Sequence, residues 1–278
     1  LGVPYTVNRY RQARRDPALP VGIIGKPHVL DRLPWRNPIL FGASVMSHPL
    51  ADPTLLMRRP SIHRILVPGE WMRRMCEPYW GELVHPWPVG IDTTAWAPAP
   101  AAERDLDVLL YDKVRWDHDR YARDLIGPVR THLAARGLRV AELRYGFYRE
   151  EDLAALLRRC RAMVFLCEHE TQGLAYQQAL ACGVPILAWD RGGFWQDPEF
   201  FPDRVRFGPV SSVPYWDPVC GETFKDDATF ASSFDMFWAN LAGGRYHPRD
   251  YILAHLTLEC CASAYLKHWE SAFGSMAA

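Results

Sequence analysis

Residues 162–167, AMVFLC, are apolar without interruption. A strand with one wet face alternates polar and apolar side chains, so an unbroken run of this length belongs to a strand covered on both faces. The polar cluster EHETQ (168–172) follows at once, then a run of small and apolar residues stopped by Gly183 and Pro185, then the apolar run PILAW (185–189). Strand, helix and strand in so short a space require a right-handed crossover between parallel neighbours. That unit sets the fold class as α/β and places ligands beyond the carboxyl ends of its strands.

The same alternation runs upstream. LDVLLY (106–111) has strand length, and residues 117–136 carry Tyr121, Leu125, Val129 and Leu133 on one helical stripe, with Pro128 as a kink and Gly137 as an end. A short strand is expected at 138–143. EEDLAALLRRC (150–160) spaces Leu153, Leu156, Leu157 and Cys160 as a helix face, acidic at its start and basic at its end, as the helix dipole favours. The first hundred residues read as a smaller α/β unit, with strands at 21–25, 38–43 and 63–68, a helix at 70–78 and a short strand opening 83–92. The proline-rich 95–102 is the expected linker. Residues 190–228 read as loop, and helical patterns occupy 229–241 and 248–272.

The chain has 278 residues, 49% of them hydrophobic, which suffices for one large or two ordinary domains. Lys and Arg number 32 against 32 Asp and Glu, so no net field steers the whole chain to nucleic acid or an anionic membrane. No apolar run has the length of a membrane span. Seven cysteines without a CxxC pair fit a reducing, cytoplasmic setting better than a disulfide framework or zinc site. No histidine shows metal-ligand spacing, so no metal site is expected. GIIGK (22–26) lacks the full phosphate-loop pattern, and no GxSxG nucleophile motif occurs. The first residue is Leu1, from which an absent upstream segment is expected.

Residues 168–172 lie where a parallel strand feeds a helix. Backbone N–H groups of Thr171, Gln172, Gly173 and Leu174 would be unclaimed there, backed by the positive end of the helix dipole, which suits a phosphate. Gly173 allows close approach to the backbone. Glu170, just before the helix, is placed to accept hydrogen bonds from sugar hydroxyls. Glu168 and His169 read as solvated or supporting loop residues.

Glu170 through Gln178, followed by ALACGVPILA and the turn at Gly192 and Gly193, resembles the C-terminal domain of GT-B glycosyltransferases, in particular the retaining group built on an E-x7-E motif (family 4, group 1). VPGEWMRRM (67–75) and HPWPVGIDTTAWAP (85–98) resemble the same family's inter-domain region, so the likeness spans roughly 65–195. It implies two Rossmann-like domains facing a cleft: an acceptor-side domain at 1–96, short or truncated, a nucleotide-sugar-binding domain at 97–245, and a C-terminal segment, 246–278, packing across the junction. It implies that Glu170 contacts the donor sugar and that the backbone of 172–174 holds its phosphates. The second motif glutamate, which would bind the ribose hydroxyls, is here Gln178. That change removes a charge and a paired oxygen, and charge-assisted bonds are roughly twice as strong as neutral ones.

The family's arginine and lysine after the first strand of this domain are absent at their usual spacing. Lys113 and Arg115 stand there instead, two residues apart, and are expected to share a side and offset the diphosphate charge. A surface network with Asp112, Asp117 or Asp119 is the competing reading. Tyr148, in YGFY (145–148), is placed near a nucleobase, and His48 near the donor sugar.

The expected activity is transfer of a sugar from a nucleotide-diphosphate sugar to an acceptor hydroxyl, with retention and without metal or other cofactor. Expected partners are that donor and a sugar, lipid-linked or small-molecule acceptor, with no nucleic acid; peripheral membrane contact is left open. A nucleotide-sugar epimerase of the same fold and a non-catalytic nucleotide-sugar-binding subunit are the alternatives.

Overall fold

The computed structural model describes residues 1–42 and 48–274. The chain divides into two compact units, Leu1–Gly90 with Leu258–Ala278, and Ile91–Thr257.

The first unit runs through α1 (Tyr10–Arg15), β1 (Val21–Ile23), β2 (Ile39–Phe41), α2 (Leu55–Arg58), β3 (Ile62–Val67), α3 (Glu70–Trp80) and β4 (Val84–Pro86). Its four strands are parallel, in the order β1-β2-β3-β4. The expected strands form, β1 and β2 shorter than their apolar runs and β3 of the expected length one residue earlier; Ala43, in the run 38–43, lies outside the described residues. α1 was not expected, because YRQARR has no apolar stripe and buries only Ala13. Buried Asn37 anchors it, its Nδ2 shared among the carbonyls of Ala13, Asp16 and Leu19 at 3.1, 2.9 and 2.9 Å. α3 buries Trp71, Met72, Met75, Cys76 and Trp80, one face of a regular helix.

The second unit contains β5 (Leu106–Lys113), α4 (His118–Tyr121), a π turn (Ala122–Ile126), α5 (Gly127–Ala135), β6 (Val140–Arg144), α6 (Glu150–Arg159), β7 (Cys160–Cys167), α7 (Leu174–Ala181), β8 (Ile186–Trp189), β9 (Gly221–Phe224), α8 (Asp227–Ala242) and α9 (Pro248–His255). The sheet is parallel, in the order β6-β5-β7-β8-β9. β7 is covered on both faces, as its unbroken apolar run requires. Leu125, Val129 and Leu133 pack with Val108, Leu110, Phe230, Phe234 and Phe237. β9 lies near the end of the loop-rich stretch 190–228. It is a four-residue edge strand whose two middle residues are only half-buried, so it carries no apolar run to announce it.

The single helix expected over 248–272 is two helices. The chain breaks after α9, where Ile91 N–H donates to Leu256 C=O at 2.8 Å and Ile91 pairs with Thr257 as a β-bridge. The last helix, α10 (Leu258–Phe273), belongs to the first unit. Its Ala264, Tyr265, Trp269 and Phe273 cover Leu40, Leu66 and Trp87, and Trp87 Nε1 donates to Cys261 C=O at 2.7 Å. Gly22 on β1 gives this helix its approach, since a Cβ there would overlap the Tyr265 hydroxyl. The segment 246–278 is therefore divided between the units. Among the described residues no helix is long and apolar enough to cross a membrane.

Candidate functional site

The parallel register sets the carboxyl ends of β5 and β7 side by side, with Lys113 opposite Cys167. Two loops leave that edge, 114–117 and 168–173. Lys113 and Glu170 form an ion pair between them, with side chains only 12% and 6% exposed. Lys113 Nζ also lies 4.4 Å from the centre of the Tyr145 ring. Burial works against the Lys113 charge, but the Glu170 carboxylate and the field of Cys167 outweigh it, so the ammonium is held above the usual lysine range. A buried charge without a partner would cost several kcal/mol, so each residue of the pair depends on the other.

Arg115 stands two residues beyond the end of β5. β5 ends at Lys113, so the strand's alternation no longer governs residue 115. Its guanidinium lies over the Trp116 ring at 4.2 Å and donates from Nη2 to His169 C=O at 2.9 Å. Neither cation joins an Asp112, Asp117 or Asp119 network among the described residues. Asp112 accepts from Val114 N–H at 3.0 Å and pairs with His118 Nε2 at 2.7 Å.

Glu168 and His169 are buried, so of their two readings, solvated or supporting, the solvated one falls. Glu168 is 0% exposed, and its Oε1 accepts from the backbone N–H groups of Arg115 and Trp116 at 2.8 and 2.9 Å. Its Oε2 makes no hydrogen bond and lies 3.8 Å from Arg115 Nε. Burial raises the Glu168 pKa above the usual carboxylate value, against the opposing pull of those N–H groups. The physical reason is satisfaction of backbone donors: a buried loop must find acceptors, and here the acceptor arrives from another strand end more than fifty residues along the chain. His169 accepts at Nε2 from Gln196 N–H at 3.2 Å, and its ring centre is 5.1 Å from that of Trp116. Burial, then the charges of Arg115, Arg191 and Lys113, push its pKa down to about 2, so the imidazole is neutral.

α7 starts at Gly173, whose φ of +86° lies in the left-handed region and whose Cβ, if present, would overlap the Tyr176 ring. Tyr176 is fully buried; its hydroxyl donates to Tyr215 C=O and accepts from Tyr215 N–H, both at 3.1 Å. No side chain caps α7. Gln172 turns inward and exchanges hydrogen bonds with Gln177, Nε2 to Oε1 at 3.1 Å and Gln177 Nε2 to Gln172 C=O at 2.9 Å. Thr171 is half-buried and Leu174 exposed, while Glu170 N–H donates to Ser211 C=O at 2.9 Å.

The glutamine buried within α7 is Gln177, which sequence reasoning passed over. Gln178 is half-buried, and its Nε2 donates to the exposed Glu150 Oε1 at 3.3 Å. Tyr148 turns toward the sheet, its hydroxyl 2.5 Å from that of Tyr111. The exposed aromatics of its loop are Tyr145 and Phe147. His48 lies in the first unit, where it is buried; its Nδ1 accepts from Leu50 N–H at 3.1 Å and its ring meets Tyr79 edge-on at 4.9 Å. Residues 43–47, just before it, lie outside the described residues.

The structure thus gathers Lys113, Arg115, Glu170, Gln172 and Gly173 at one sheet edge, with Glu168 and His169 added. Among the described residues no three His, Cys, Asp or Glu side chains are placed to hold a metal ion. What the cluster offers is two cations, a carboxylate and an uncapped helix start, which together suit a ligand carrying both phosphate and hydroxyl groups.

Comparison with known proteins bears on the fold that carries this cluster. The sequence model described as "Glycosyl transferases group 1" matches residues 128–196, which include β7, Glu170 and α7. No curated protein sequence matches. The sucrose-phosphate synthase (tll1590) of Thermosynechococcus elongatus is 16% identical at a TM-score of 0.56, covering 90% of this chain and 71% of its own. A UDP-forming α,α-trehalose-phosphate synthase from Burkholderia xenovorans is 12% identical at 0.60, covering 97% and 80%. Anabaena Alr3699/HepE, solved with UDP and glucose, is 13% identical at 0.54, covering 85% and 72%. The two parallel-sheet units and these likenesses give an α/β fold of the GT-B class. Together with the family match they support a glycosyltransferase enzyme.

Proposed function

We propose that this chain transfers a sugar from a nucleotide-diphosphate sugar to an acceptor hydroxyl, with retention and without a metal. The observation that carries the reading is the buried Lys113–Glu170 pair beside the uncapped start of α7, with Glu170 and α7 inside the segment that matches group 1 glycosyl transferases. A carboxylate fixed by a lysine keeps oxygens that can accept from sugar hydroxyls. The ammonium, Arg115 and the N–H groups at 172–174 favour the negative charge that grows on the departing diphosphate. The bond from the sugar's anomeric carbon to the phosphate oxygen breaks and the bond to the acceptor oxygen forms. The acceptor's proton leaves with the phosphate.

Glu170 orients the sugar in this scheme and forms no covalent intermediate. Gln178 keeps one carbonyl acceptor for the ribose, beside Glu150. Tyr145 and Phe147, rather than Tyr148, are the ring faces open to a base. Work at a cytoplasmic membrane surface or in the cytoplasm suits a nucleotide-sugar donor.

A thermal-shift panel of UDP-, GDP-, ADP- and dTDP-sugars tests the reading. A bound ligand at a hundred times its dissociation constant stabilises by about 2.7 kcal/mol. One responding donor is expected, with Glu170→Ala removing the sugar-dependent part of the shift and leaving most of the bare nucleotide's effect. Silence across the panel would overturn the proposal.

A further inference from the structure

Glu168 contributes nothing to the chemistry above, yet it is the most deeply buried carboxylate of the site. Ionised carboxylates are seldom held out of water without a strong reason, because desolvation costs several kcal/mol per ion. Its bonds show what it holds. Oε1 takes two consecutive N–H groups, Arg115 and Trp116, from a loop that follows a different strand. Oε2 faces Arg115 Nε at 3.8 Å without hydrogen-bonding to it. The next residue supplies a second grip, since the carbonyl of His169 accepts from Arg115 Nη2. The short loop after β5 is thereby tied at its backbone and at its one cationic side chain to the short loop after β7.

We propose that Glu168 is a positioning residue, which fixes the loop after β5 through the Arg115 and Trp116 N–H groups and so presents the Arg115 guanidinium to the diphosphate of the donor. The proposal rests on the transferase reading for its ligand, and on Glu168 alone for its geometry. Asp112 cannot substitute for it, because its two oxygens are engaged by Val114 N–H and His118. Nor can Glu170, whose partner is Lys113. Burial raises the Glu168 pKa, and the hydrogen bonds from the loop N–H groups work against that rise, as they do when a carboxylate is the acceptor.

Two readouts separate this role from a bland contribution to folding. The first is amide hydrogen exchange at Arg115 and Trp116. Glu168→Gln keeps the shape of the side chain, puts an NH2 group against Arg115 and weakens the charge-assisted bonds, so both amides should exchange at least tenfold faster while the rest of β5 stays protected. The second is titration with UDP, GDP, ADP and dTDP. For whichever of these binds the unaltered chain, E168Q should weaken affinity about tenfold, the size expected for losing a hydrogen bond to a charged group. In an Arg115→Ala background the same change should matter less than twofold, because residues acting through one another are not additive.

Unchanged amide protection in E168Q, or an equal loss of affinity in both backgrounds, overturns the proposal. If E168Q does not fold, Arg115→Ala alone decides. It leaves the backbone bonds to Glu168 in place, so amides 115 and 116 should stay protected while nucleotide affinity falls; exposed amides or unchanged affinity count against the proposal. If none of the four nucleotides binds the unaltered chain, the transferase reading fails by itself. The exchange measurement still decides whether Glu168 holds the loop.

Discussion

The two units share a plan, a parallel sheet with helices, but differ in what they bury. Among the described residues the first unit buries only Asn37 and His48 from the polar classes, and both close backbone hydrogen bonds. The second buries Asp112, Glu168, His169, Glu170, Gln172 and Gln177, most of them at the carboxyl ends of two adjacent strands. The charge balance also divides. Residues 1–90 and 258–278 hold 13 Lys and Arg against 8 Asp and Glu, while residues 91–257 hold 19 against 24. Neutrality of the whole chain therefore conceals a basic unit and an acidic one. The acidic unit nevertheless keeps Lys113 and Arg115 at its site. The lesson is that a sheet alone needs no buried ions, so where they are concentrated a ligand explains what folding does not.

The strongest way to break this comparison is to make the second unit resemble the first. Lys113→Ala or Glu170→Ala alone should cost about 3–5 kcal/mol, because each leaves a charge buried without its partner. The double change Lys113→Met with Glu170→Leu should recover most of that loss in chemical denaturation while abolishing nucleotide binding in calorimetry. Recovery of both would show that the pair is only structural.

The converse change is smaller. Asn37→Ala removes a side chain bonded to three carbonyls and should destabilise by about 1–3 kcal/mol. Nucleotide affinity, measured at a temperature where the variant is folded, should not move. A parallel loss of affinity would refute the assignment of ligand binding to the second unit.

Acid distinguishes the units by its pH range. Burial pushes the His169 pKa down to about 2 in the folded chain against the usual 6.5, so below pH 6.5 the unfolded chain binds a proton that the folded chain refuses. Its contribution is fully present above pH 6.5 and is lost as pH falls toward 2, at about 1.4 kcal/mol per pH unit. His268 in the first unit, pushed down to about 4, acts the same way only between 6.5 and 4. Denaturation curves from pH 7.5 to 4.5 should show His169→Asn removing one proton's worth of slope; an unchanged slope would mean that the imidazole already titrates in the folded state. The smallest effect is expected for Gln178→Glu. It sets a half-buried carboxylate beside the exposed Glu150 and should cost no more than about 0.5 kcal/mol, most of which salt removes.

What the sequence disclosed follows from locality. β7, α7 and β8 are legible because an unbroken apolar run, a small-residue helix and a Gly–x–Pro stop are all adjacent signals. Glu170 and Gly173 are legible for the same reason, lying at a strand end and a helix start. Glu168 is not, since its hydrogen-bonding partners stand on another strand's loop and nothing within 168–172 marks which carboxylate turns inward. Gln177 and Gln178 are neighbours, and only the packing of α7 decides which is buried. The contacts of Arg115 with Trp116 and His169 were not legible, because it lies past the last residue of β5, where alternation no longer applies. β9 and α1 had no periodicity to betray them, and the break between α9 and α10 arises from pairing with Ile91, far away in sequence.

The return of α10 to the first unit has a consequence for the order in which the protein is made. Synthesis delivers residues 1–90 before Ile91–Thr257, but the helix that covers Leu40, Leu66 and Trp87 only after it. The usual sequence, in which the N-terminal domain closes before its successor emerges, is reversed. A growing chain carries an open apolar face on its older part while the younger part reaches its native state, and only the later arrival of α10 covers that face.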